Sequence, residues 1–144
     1  MSLRLLEEQK RIKKITLDPT YIRNQLEIAD HALASANRLL EEDPDYSYTR
    51  AYTAMLASGR AFMGSLGYIP DGTEKHLSVK LFLEQYLDRQ MITKFDVARR
   101  KRHTLEYDQI GIISPTDAVN AVATAEDFVK LIKSKIDSKN SPAR

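Results

Sequence analysis

The pattern of apolar positions along the chain is helical from residue 19 onward. Asp18-Pro19 offers an N-cap followed by proline at the first helical position. Ile22, Leu26, Ala29, Leu33, Ala36 and Leu40 then recur at the alternating four-three spacing of one helix face. The acidic run Glu41-Glu42-Asp43-Pro44-Asp45 breaks this helix, and a second restarts near Tyr46 with Tyr48, Tyr52, Met55, Gly59, Phe62 and Leu66 in phase. Ala51, Ala54, Ala57, Gly59 and Ala61 are small enough to admit a close neighbour, which predicts a central position for this helix. Residues 67–73 hold two glycines and a proline and are predicted as a loop. A third helix is predicted over about Thr73 to Met91. Its apolar residues, among them Leu77, Val79, Phe82, Leu83 and Leu87, cover nearly its whole surface. A fourth is predicted over Lys94 to Tyr107. Ser114-Pro115-Thr116-Asp117 opens a fifth, in which Ala118, Val122, Ala125, Val129, Ile132 and Ile136 keep phase.

The ends are different. Residues 1–16 carry five positive and two negative charges with only sparse apolar positions, and are predicted as a basic N-terminal helix or extension, exposed or held by a partner. Residues 140–144 read as a disordered tail. The expected architecture is an all-α, antiparallel, four- to five-helix up-and-down bundle in a single domain over residues 17–139.

Composition narrows the function classes. The 144 residues, 42% apolar, suit one domain. Twenty-two Lys and Arg against twenty Asp and Glu leave a formal charge of +2, so any site for a polyanion has to be local. The absence of cysteine excludes disulfides, thiolate nucleophiles and thiolate metal sites. No apolar run approaches the length of a membrane span, and charges at Arg4, Glu7, Glu8 and Lys10 interrupt any signal-peptide core, so the expected location is the cytoplasm.

The sharpest local charge lies in residues 94–103, with five cationic side chains against Asp96. At about 100° per residue, Phe95, Ala98 and Leu105 form the inward stripe and Arg102 falls inside it. Asp96, Arg99, Arg100, His103 and Tyr107 share an adjacent sector. Arg102 in that phase has to snorkel outward or find an acidic or phosphate partner, and Glu106 stands one turn later. Guanidinium forks beside an imidazole also suit phosphodiester recognition, so the run reads either as a solvated face or as a phosphate site. His31 and His76 read as surface or capping residues. Tyr46, Tyr48 and Tyr52 read as core and interface packing. No histidine pair has metal-ligand spacing, and no glycine-rich phosphate loop or nucleophile elbow is present, so neither metal nor cofactor is expected.

Several blocks of residues in order resemble a known family. Tyr46-Ser47-Tyr48-Thr49-Arg50-Ala51-Tyr52 through Met63, Leu66-Gly67-Tyr68-Ile69-Pro70, and His76 opening the next helix look like the central helices of small prokaryotic HEPN proteins. Arg102-His103-Thr104-Leu105-Glu106-Tyr107-Asp108, Ile113 to Ala118 and Ala125 to Val129 look like their last two helices. The resemblance covers about residues 19–137. It implies a helical bundle that dimerises and pairs with a small nucleotidyltransferase in a toxin–antitoxin-like system. Many members are metal-independent endoribonucleases with an Arg followed four to six residues later by His, and Tyr two residues beyond. Aligning Tyr107 with that Tyr places Arg100 on the motif Arg and Leu105 on the motif His; His103 is displaced by two residues, about 200° around the helix. The expectation is therefore a homodimeric module that binds RNA or a nucleotide through Arg99, Arg100, Arg102 and Tyr107 and works with a nucleotidyltransferase. The alternative is an endoribonuclease toxin with Arg100 and His103 as its catalytic residues.

Overall fold

The computed structural model describes residues 1–140. It is an all-α bundle: α1 (Leu3–Glu8), α2 (Pro19–Arg38), α3 (Pro44–Ser65), α4 (Lys75–Leu83), α5 (Arg89–Tyr107) and α6 (Pro115–Asn140), with one two-stranded ribbon of β1 (Ile12–Lys14) and β2 (Tyr68–Pro70). The side chain of Asp18 accepts from the Thr20 and Tyr21 N–H groups to start α2, and that of Asp43 accepts from Tyr46 N–H to start α3. Asp45, part of the same acidic run, accepts N–H bonds from Gly111 and Ile113, tying the α5–α6 loop to the first turn of α3.

α3 is the core helix, with fifteen of its twenty-two residues buried. It packs against α2, α4, α5, α6 and β2. Its small residues allow this crowding: Ala54 and Ala57 meet Ala29 and Ala32 of α2 and Val129 of α6. A Cβ on Gly59 would lie 3.0 Å from Val79 and 3.1 Å from Leu83, which places α4 directly on the α3 backbone.

Three expected elements differ. The N-terminal segment is neither a free helix nor a loose extension: α1 ends after two turns, Lys10 takes a positive φ of 59°, and β1 pairs antiparallel with β2, Ile12 opposite Pro70 and Lys14 opposite Tyr68. Leu6 and Ile12 are fully buried, so two apolar side chains anchor a segment whose charges face solvent. The predicted loop 67–73 contains β2, bounded by Gly67 and Gly72 at positive φ. The single helix predicted over residues 73–91 is divided, because the Asp88 side chain accepts from Met91 N–H and starts α5 at Arg89, five residues before the expected position. At the other end α6 continues through Asn140, and the rest of the predicted disordered tail, 141–144, lies outside the described residues. Among the described residues no helix is long and apolar enough to cross a membrane.

Candidate functional site

The Asp88 cap sets the start of α5. Phe95 and Ala98 enter the core and Leu105 packs half-buried at its edge, as the stripe predicts. Arg102 shares the stripe but stays 24% exposed by turning its guanidinium to Glu106 at 2.8 Å. Asp96 gathers the neighbouring cations: Arg99 lies at 2.8 Å from one carboxylate oxygen and Arg100 at 3.1 Å from the other. The Arg100 side chain remains 67% exposed, against 26% for Arg99.

These side chains form one wall of a cleft of about 620 Å³, with His103 and Thr104. The opposite wall is the first turn of α4, residues 73–77, brought there by the β1–β2 ribbon and by an ion pair between Glu74 and Arg11 at 3.3 Å. The α4 N-cap, Glu74, makes no side-chain cap bond. His76 projects from this turn and is half-buried. Its Nδ1 lies 3.1 Å from the Tyr52 hydroxyl, and the Tyr52 ring packs against both His76 and Phe95. Burial pushes the His76 imidazole down to about 4, reinforced by the positive charges of Arg102, Arg60 and Arg99, so the ring is neutral at neutral pH. Burial also pushes the Tyr52 phenol up.

The structure thus brings Arg99, Arg100, Arg102 and His103 to one cleft and leaves Tyr107 outside it. Tyr107 is 67% exposed, its ring 4.7 Å from that of His103. His76 and Tyr52 belong to the site although the sequence reads them as capping and core residues. They are 24 residues apart on different helices, and no local spacing links them. His31 stands apart, exposed on α2 and 3.4 Å from an Arg50 guanidinium nitrogen. Among the described residues no group of three or more histidines and carboxylates is placed to hold a metal ion. A second groove runs between α5 and α6 over Tyr48, Met55, Ala98 and Ala121, with Lys101 above the Tyr48 ring at 5.9 Å. Burial, and secondarily the Asp117 charge, pushes the Tyr48 phenol up to about 12.

An all-α bundle built around a small-residue central helix, with a basic cleft on its penultimate helix, is the class of protein defined by these features. The HEPN domain profile matches residues 22–135, most of the chain, and the protein belongs to that family. In fold it is similar to the protein TT1696 from Thermus thermophilus, seen in a crystal structure. The TM-score is 0.66 at 16% identity, over 79% of this chain and 97% of that one. No curated protein matches the sequence.

Proposed function

We propose that the protein is a non-catalytic binding module whose α4–α5 cleft takes the phosphates of RNA or a nucleotide. The observation that carries this reading is the convergence of Arg99, Arg100 and Arg102 with Lys75 and two imidazoles on one concave surface. Guanidinium forks match phosphate oxygens in geometry and charge. The family, together with exposed Val97 on α5 and Val119 on α6, supports a homodimer. A nucleotidyltransferase partner in a toxin–antitoxin-like pair completes the reading in the cytoplasm.

The test is fluorescence anisotropy with a short labelled RNA. Arg100→Ala is the cleanest variant because its side chain is the most exposed of the three, whereas removing Arg99 as well strips the mostly buried Asp96 of both its partners. Loss of one phosphate contact is expected to weaken binding several-fold and lower the slope of log affinity against log salt by about 1, with folding unchanged. Unchanged affinity and slope would make the run a solvated face.

Two imidazoles in the same cleft favour a second reading, a metal-independent endoribonuclease. On that reading Arg100 holds the scissile phosphate and His103 moves the proton. Leu105, where the family motif carries its histidine, packs against the core instead, which favours binding over cleavage.

A further inference from the structure

The two sides of the cleft differ in what they offer a phosphate. Arg99 and Arg100 share the single carboxylate of Asp96, Arg102 is matched by Glu106, and Glu74 is matched by Arg11. With Lys75 this arrangement leaves two formal positive charges at the cleft. His76 adds no charge while the cleft is empty, and its Nδ1 is occupied by the Tyr52 hydroxyl, so Nε2 is the ring nitrogen free for a ligand.

Resting on the polyanion reading above, we infer that the cleft selects a terminal phosphate, a dianionic monoester, over the internal diesters of RNA, and that His76 makes the selection. An internal phosphodiester carries one negative charge, which the Arg99–Arg100 pair can match without the imidazole. A monoester at neutral pH carries nearly two, its second ionisation lying near pH 6. The groups around His76 are Tyr52 and Arg60 from α3, Arg99, Arg100, Arg102 and His103 from α5, Lys75 on its own helix and Glu74 at that helix's N-cap. Burial first, and the arginine charges second, hold the empty-state ring neutral. A phosphate dianion beside the ring offsets the arginine charges and stabilises the imidazolium against the burial cost, so the ring takes one proton from solvent. Both nitrogens then carry hydrogen, Nδ1–H donating to the Tyr52 oxygen and Nε2–H to the ligand as a charge-assisted donor. Tyr52 holds the ring in place through Nδ1 and is a positioning residue for it.

The experiment compares one ten-nucleotide RNA in three forms, with a 5′-phosphate, with a 3′-phosphate or with hydroxyls at both ends, each binding the full-length chain at pH 7 and fixed salt. At least one phosphorylated form is expected to bind about tenfold more tightly than the hydroxyl form, the worth of one charge-assisted hydrogen bond. His76→Gln is expected to bring that ratio close to one. Should His76→Gln not fold, Tyr52→Phe keeps the ring packing, removes the hydroxyl and is expected to lose most of the preference. Equal binding of all three forms by the wild type would overturn the inference while leaving the polyanion reading intact. A preference that survives in folded His76→Gln or Tyr52→Phe would overturn the role of His76. No binding of any form would overturn the polyanion reading itself.

Discussion

At the scale of single residues, the cleft holds one side chain, His76, whose charge state is set by its surroundings. His76 illustrates the sign. Its ordinary value of 6.5 falls to about 4 in the fold, so below pH 6.5 the unfolded chain binds a proton that the folded chain holds off. The stability associated with this group is complete above pH 6.5 and is lost as pH falls toward 4. Because the ring is only half-buried, solvent screening limits the effect to about 1–2 kcal/mol. Urea unfolding at pH 7 and pH 5 checks it: His76→Gln is expected to show a smaller fall between the two than the wild type. An equal fall would mean that other groups carry the acid sensitivity. Arg102→Ala removes the partner of Glu106 and uncovers part of the stripe between Ala98 and Leu105; a loss of about 1 kcal/mol is expected in the same measurement.

At the scale of elements, the long amphipathic helices were legible because a four-three apolar spacing repeats over many turns and their starts carry capping residues. α2 and α6 begin at the predicted prolines, and α3 at Pro44, two residues before the expected restart. The short elements were not legible. β1 and β2 have three residues each, too few to display an alternation, and they exist because Ile12 needs a dry neighbour that only tertiary contact supplies. Likewise the apolar run from Leu77 to Leu87 conceals a break, since Leu83 ends α4 while Leu87, equally apolar and buried in the same core, lies in the connection before α5. The Asp88 cap was the one local signal for the restart, and Asp88→Ala is expected to cost about 1 kcal/mol in thermal or urea unfolding. The site divides in the same way. The arginine sector of α5 follows from helical phase, and the Arg102–Glu106 pair from i,i+4 spacing. His76 joins through the packing of α4 on α3 and α5, which no single-helix pattern contains.

At the scale of the whole molecule, the bundle leaves one face of α5 open on the cleft beside α4 and another, with exposed Val97, above the groove shared with α6. Light scattering is expected to give a dimer mass at tens of micromolar, and a monomer there would remove the assembly from the account. Cleavage of generic RNA without metal is expected to be absent or very slow, because a positioned general base is worth about 10²–10⁴ in rate and His103 lies exposed against Tyr107. Cleavage that His103→Ala abolishes would favour the endoribonuclease reading instead. The central claim, that phosphates enter between α4 and α5, is tested most directly by amide chemical-shift mapping of the protein titrated with a short RNA. The account predicts that the largest shifts fall at residues 73–77 and 99–104 and saturate together. Saturating shifts confined to the α5–α6 groove, around Thr93, Val97 and Asn120, would contradict it.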